Sequence, residues 1–290
     1  QIADVRSICR SRKKIPTYEM SLMLERSGHR PEKIGMLSAL MRSVNISVYQ
    51  NASALRSVEQ GQDITAHNIA TSSVAGFKKT DAAFESIRAG YLPKETLTEF
   101  QRGMQAQFPY IDGQVTFKQG EIRQTSNPHD VTIEGPGFFE METPEGDMLY
   151  SRDGQFHLNS DGVLVNSQGN VVQGENGRIQ LIPSLGEFTV NQGGEVYQGN
   201  NLTGRIRVMN FDDLQGLKRV EGGFMAGGQT PAQVEEPKVL QGFLENSNVN
   251  PLREMVNLIS LSRIHEANHK MIQQYDQLFG KAINMLGQTG

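Results

Sequence analysis

The last forty residues constrain this chain most. From Asn250-Pro251-Leu252 to Met285-Leu286 no further proline interrupts the sequence, and no glycine appears before Gly280. Asn250 suits a helix N-cap, and Pro251 suits the first helical position, where its missing N–H costs nothing. A helix that passes Gly280 runs for roughly ten turns, about 54 Å. Positions 261, 264, 268, 271, 275, 278, 282 and 285 hold Leu, Ile, Asn, Met, Tyr, Leu, Ala and Met. These positions step by three and four and all but Asn268 are apolar, so the seam asks for a partner helix rather than for one face of a compact core.

The partner is expected near the other end. Positions 37, 41, 44, 48, 51, 55, 58, 62, 65 and 69 hold Leu, Met, Val, Val, Asn, Leu, Val, Gln, Thr and Ile. The steps again alternate four and three, with Asn51 and Gln62 as polar interruptions able to fix register. This helix is expected to break near Ser72-Ser73 and to end by Gly76. Two seamed helices that cannot bury their stripes alone are expected to meet.

Between Gly113 and Leu244 the texture changes. Asp153-Gly154, Asp161-Gly162, Gln168-Gly169, Asn176-Gly177 and Gly193-Gly194 are turn signals, and short apolar runs such as Phe156-His157-Leu158, Val171-Val172 and Ile179–Ile182 lie among them. Asp-Gly and Asn-Gly supply the positive φ of tight hairpin loops, so a meandering antiparallel β-domain is expected. Arg205–Met209 alternates and reads as one more strand. The fold class expected is therefore α+β: long N- and C-terminal helices paired as a coiled coil, with a central antiparallel β-rich domain. In domain terms, 36–76 and 246–290 are the helical parts, 77–112 a connector and 113–245 the β-domain. Residues 1–35 carry eight Lys/Arg against four Asp/Glu with no sustained periodicity. They read as a disordered basic extension, with Met36 as the expected functional start.

Chemistry finds little footing. The net charge of −4 lacks the basic face of a nucleic-acid binder. Cys9 is the only cysteine, and no run is long enough to span a bilayer. His265-Glu266-Ala267-Asn268-His269 matches the H-E-x-x-H zinc-protease pattern on a helix, but a catalytic zinc needs a third protein ligand. No Glu follows Glu266, and Ile272 and Tyr275 stand where the extended pattern has glycine and histidine. Two polar helix-flank histidines explain the stretch better. Gly135-Pro136-Gly137-Phe138-Phe139 lacks the Lys-Ser/Thr of a phosphate loop, and its two Phe are expected to enter the β-core. No catalytic, metal, cofactor or small-molecule substrate site is expected.

Several blocks resemble the flagellar basal-body rod and hook protein family. Asn68-Ile69-Ala70 followed by Gly76-Phe77-Lys78 is similar to that family's signature at the end of its N-terminal helix, although Thr71 and Val74 depart from it. Asp130 to Phe139, including Gly137 and Phe138, and Tyr150-Ser151-Arg152-Asp153-Gly154-Gln155-Phe156 resemble its central β-domain. Leu244 to Asn250, with Ser247 and Asn248, and Arg263 to Lys270, with Glu266 and Asn268, resemble its C-terminal block. The chain lacks the Gly-rich insertion and extra outer domains of other members, and looks most like the proximal-rod members, the distal-rod members second.

The resemblance implies a structural subunit that polymerises through its terminal helices into a hollow helical shaft. Such a shaft transmits torque and lets exported proteins pass. It also implies self and other rod proteins as partners, export by the flagellar type III apparatus without a cleavable signal, and a place in the periplasmic rod of the basal body. Leu37, Val44, Val48, Leu55, Ile69, Ile264, Met271, Tyr275 and Leu278 are the expected assembly contacts. The rival readings are a soluble coiled-coil adaptor carrying a β-domain and, far behind, the zinc protease.

Overall fold

The structure, a computed structural model, describes residues 31–89 and 106–288, with side chains described from Gln50 onward in the first helix. The expected basic extension therefore lies outside the described residues up to residue 30. The helix α1 spans Pro31–Ala70 and α2 spans Pro251–Gln288. At the start of α2 the Asn250 side chain accepts the Arg253 N–H at 3.1 Å, so the cap and the proline stand as their residue types require. Thr71 closes α1, its N–H and hydroxyl both donating to the His67 carbonyl.

Between the helices the chain is β-structure. Strands β1 (Thr80–Ala89) and β2 (Ala106–Val115) pair as a two-stranded sheet. There follow β3 (Ile122–Gln124), β4 (Val131–Glu134), β5 (Phe138–Glu142), β6 (Met148–Ser151), β7 (Phe156–Leu158), β8 (Leu164–Asn166), β9 (Val171–Gly174) and β10 (Gly177–Arg178). After a 3-10 turn at Pro183–Leu185 come β11 (Thr189–Val190), β12 (Glu195–Gln198), β13 (Asn201–Arg205) and β14 (Val208–Asn210). The last are β15 (Lys218–Val220), β16 (Gly223–Met225), β17 (Ala232–Gln233), β18 (Lys238–Gln241) and β19 (Phe243–Glu245).

Strand β5 is the centre of the largest sheet, paired with β6, β9 and β14. Both of its faces are covered, because successive side chains point to opposite sides. Phe139 and Met141 enter one apolar cluster with Val131, Leu149, Phe156, Leu164 and Val208. Phe138 enters a second with Tyr150, Met209, Phe211 and Phe224. The two adjacent phenylalanines thus serve two different cores. Glu140 shares the face of Phe138 and is held by Arg207 at 2.8 Å and by the Tyr150 hydroxyl at 3.2 Å. Burial, reinforced by that carboxylate, pushes the Tyr150 phenol up to about 12.

The turn signals explain most of the meander. Gly162, Gly169, Gly177 and Gly194 all have positive φ, and they connect β7–β8, β8–β9, β9–β10 and β11–β12. Asp153-Gly154 is different. Gly154 makes no hairpin; it is needed where the chain runs so close to Val131 that a Cβ would strike that residue's carbonyl. Ile179–Ile182 is not a strand, since only Gln180 bridges, to Val163. The expected Arg205–Met209 strand divides. Ile206 N–H bonds the Gly194 carbonyl and Arg207 N–H bonds that of Gln173, so the chain crosses here from the β12–β13 sheet to that of β14.

The expected pairing of the two helices as a coiled coil is corrected. On α2 the seam residues Ile264, Met271 and Leu278 are 47%, 44% and 62% exposed. The covered side holds Leu258, Leu261, His265, Asn268, Ile272, Tyr275 and Phe279. Among the described residues, polar side chains join the two helices: Gln62 with Ser262 at 3.2 Å and Glu59 with His265 at 3.5 Å. The physical reason is competition for α1. Ile111 of β2 fills the notch at Gly61 together with Leu261, and Gly113 lies against Ile64. A two-stranded sheet takes part of the stripe that the periodicity had assigned to a helix.

Contacts divide the chain into two units. The larger holds Ser57–Glu85 and Ile111–Glu266; the smaller takes the distal parts of α1, of the β1–β2 sheet and of α2.

Candidate functional site

Within the larger unit, the chain leaving α1 and the chain approaching α2 meet on the β-domain. Two asparagines carry most of the backbone pairing there. Asn68 donates its amide to the Thr80 carbonyl at 2.8 Å and accepts the Thr80 N–H at 3.1 Å, so one side chain satisfies both groups of one residue. Asn248 accepts the Lys79 N–H at 2.7 Å and donates to the Thr116 and Lys118 carbonyls at 2.7 and 3.0 Å. Its own N–H bonds the Phe77 carbonyl. An asparagine amide has this double donor and acceptor capacity, and buried backbone groups need partners. Gly76, at φ +66°, donates to the Glu245 carbonyl at 2.7 Å. A Cβ at Gly76 would strike the backbone of Arg152 and Asp153, so only glycine fits.

Under this lattice lies a buried ion group. Glu245, whose side chain is fully covered, is paired with Lys78 through one carboxylate oxygen and with Arg152 at 3.2 Å through the other. Gly120 N–H adds a third donor at 3.0 Å. Lys78 also donates to the Lys118 carbonyl at 3.0 Å, and Arg152 to those of Ile133 at 3.2 Å and Gly135 at 2.5 Å. Desolvation lowers the pKa of Lys78 and of Arg152, and the Glu245 charge opposes that shift in both. A third cation, Arg219, lies over the rings of Phe77 and Phe224 at 4.7 and 5.0 Å and donates to the Lys78 carbonyl. Guanidinium stacking on aromatic faces suits a half-buried cation beside the ion group.

The structure brings Asn68, Gly76, Phe77 and Asn248 together at this junction. Ser247 sits beside them, its hydroxyl accepting the Val249 N–H at 3.2 Å. Gly137 and Phe138 stand at the start of β5, and Phe138 reaches the junction through the Arg152 guanidinium, 5.4 Å from its ring, and through Phe224, edge-on at 6.0 Å beneath Arg219. Glu266, exposed, and Asn268, half-buried, stand elsewhere on α2. Of the expected assembly residues, Leu55, Ile69 and Tyr275 are half-buried and Ile264, Met271 and Leu278 are exposed. Leu37, Val44 and Val48 lie on α1 with side chains outside the described ones.

Sequence reasoning assigned no role to Lys78, Arg152 or Glu245, although each stood inside a recognised block. It also missed an apolar stripe on the first turns of α2. Leu252, Met255, Val256 and Ile259 are all about half exposed or more, and their i, i+3, i+4, i+7 spacing puts them on one helical face. That spacing was readable.

Residues 132–198 match the family model of the flagellar hook protein FlgE/F/G D1 domain, and residues 240–285 match that of the flagellar basal body rod FlgEFG protein C-terminal region. The chain is similar to the flagellar basal-body rod protein FlgF of Mesorhizobium japonicum, with 31% identity over 245 residues, 83% of this chain and 98% of the relative. Its identity to the FlgF of Caulobacter vibrioides is 32% over 246 residues, with the same two coverages. To the flagellar basal-body rod protein FlgG of Buchnera aphidicola subsp. Schizaphis graminum it is 28% over 256 residues, 81% of this chain and 97% of the relative.

Proposed function

The chain belongs to the flagellar basal-body rod protein family, and from that membership and its exposed helix faces we infer that it polymerises with other subunits through its terminal helices. It is a structural subunit of the rod, it resides in the flagellar basal body, and it assembles with other rod proteins. Among the described residues no helix is long and apolar enough to cross a membrane.

The finer reading is a proximal-rod subunit whose helices line a hollow shaft and whose β-domain forms the outer layer. The shaft carries torque and leaves a channel, and the subunit reaches it through the flagellar export apparatus. Its work is mechanical and involves no catalysis. The observation that carries the assembly reading is α2. Ile264, Met271 and Leu278 recur every seven residues on one flank, and Leu252, Met255, Val256 and Ile259 form a separate face near its start, all open to solvent in the single chain. Contiguous apolar surface of that kind marks an interaction site, and unlike faces on one subunit build open, head-to-tail polymers.

Electron microscopy and sedimentation of the full chain at rising concentration, alone and with other rod proteins, test this reading. Fibres or tubes from the natural chain, absent with Met271→Asp while the β-domain melts unchanged, are expected. A chain that stays monomeric with every rod partner, or a Met271→Asp variant that assembles as well as the parent, would overturn it.

A further inference from the structure

The three charged residues of the junction come from three distant parts of the chain. Lys78 follows α1, Arg152 directly follows β6 and Glu245 ends β19, ahead of α2. Two cations share one carboxylate, and all three side chains are at most 7% exposed. Beyond pairing with each other they satisfy four backbone groups: the carbonyls of Lys118, Ile133 and Gly135 and the N–H of Gly120. No apolar replacement offers those bonds, so an empty or greasy junction leaves buried backbone polar groups unpaired.

We propose that Glu245 is the positioning residue of the subunit: its charge docks both helix-linking segments, residues 76–80 and 246–250, on the β-domain and so sets how the helices leave it. The core of the β-domain is apolar: Phe139, Met141, Leu164 and Val172 pack in one cluster, and Arg152 reaches it at the backbone, through the Ile133 carbonyl at 3.2 Å. The links pack Phe77 against His67 and under Arg219 and bury Val249, and their backbone is tied by the Asn68, Gly76 and Asn248 hydrogen bonds. Those bonds keep their geometry only while Lys78 and Glu245 hold the two segments together. Removing the carboxylate leaves Lys78 and Arg152 as uncompensated buried cations, which the junction relieves by opening to water. The assembly consequence rests on the rod reading above.

Amide hydrogen exchange of the full-length chain tests the proposal apart from that reading. In Glu245→Gln, which keeps the acceptor for Gly120 but loses the charge, the amides of Gly76, Lys79, Thr80 and Asn248 are expected to exchange at least tenfold faster. Those of Met141 and Val172 should exchange at the natural rate. Unchanged exchange at the junction overturns the proposal, and so does equal acceleration at both places, which would make the ion group merely part of the global fold. If Glu245→Gln fails to fold, Lys78→Met/Arg152→Met/Glu245→Leu decides: a protected core with an open junction supports the proposal, and a protected junction overturns it. Sedimentation of the same variants with rod partners then reads positioning, since opened links should abolish assembly. A natural chain that never assembles counts against the rod reading alone.

Discussion

The β-domain and the helix α2 use apolar residues in opposite ways. In the β-domain Val131, Phe139, Met141, Leu164, Val172 and Val196 are fully covered by the chain's own strands. On α2 Leu261 is the one large apolar side chain buried among those described, and seven others are open. Both regions alternate apolar and polar residues with clear periods. The difference shows that periodicity reports which face a residue occupies and leaves open which molecule covers it. A β-domain that closes on itself is a finished object; a helix of 38 residues with open stripes leaves apolar surface that its own chain does not cover.

That comparison breaks most visibly at Phe139. Its ring packs edge-on to Phe156 at 5.1 Å, on a strand paired with three neighbours. Phe139→Ala is expected to cost about 3–5 kcal/mol, the sum of lost transfer energy and an unfilled cavity. Urea denaturation followed by circular dichroism measures it. A loss below about 1 kcal/mol would mean that the β-domain is not the self-sufficient part.

A smaller effect sharpens the same contrast, because the β-domain buries polar groups as well. Asp153 is half-buried, and burial of its carboxyl, with Asp130 nearby, raises the pKa from 3.8 to about 6 against the opposing Gln155 N–H. A folded-state pKa above the unfolded one means that the protonated form is favoured by folding. That stability is fully present below pH 3.8 and is lost as pH rises through about 6. Above pH 6 the ionised group is a burden, so Asp153→Asn, which keeps an acceptor for Gln155, is expected to stabilise by about 1–2 kcal/mol at pH 7.5. The gain should fade between pH 6 and 4. A gain independent of pH would point to packing rather than charge.

How much of this was legible follows from the range of each signal. The β7–β8–β9 meander could be read because alternation and Gly162 and Gly169 act over a few residues. The seam on α2 was half readable. Leu261, Asn268 and Tyr275 are on the covered side as the heptad places them, but His265, Ile272 and Phe279 are covered where Ile264, Met271 and Leu278 were expected. One residue is 100° around a helix, and the more consistently apolar choice was the one left facing outward. Residues of β2 were read as connector, yet Ile111 occupies the α1 notch at Gly61. The junction was recognisable as motif blocks, while its pairing was not, since Lys78 and Glu245 are 167 residues apart and no periodic pattern links them.

The smallest expected effect completes the comparison. Leu252 is 73% exposed on the first turn of α2, where Asn250 and Pro251 have already set the helix start. A side chain that touches little in the single subunit has little to lose when shortened, so Leu252→Ser is expected to change monomer stability by less than about 0.5 kcal/mol. Serine is also a modest helix former, which accounts for most of that figure. The same substitution should weaken assembly if the Leu252, Met255, Val256 and Ile259 face is covered by another subunit, because the area lost from water there is gained only in the polymer. Thermal denaturation in dilute solution, paired with sedimentation at high concentration, separates the two. Loss of stability in the monomer would show that α2 folds its open face onto its own chain; unchanged behaviour in both would confine assembly to the Ile264, Met271 and Leu278 flank.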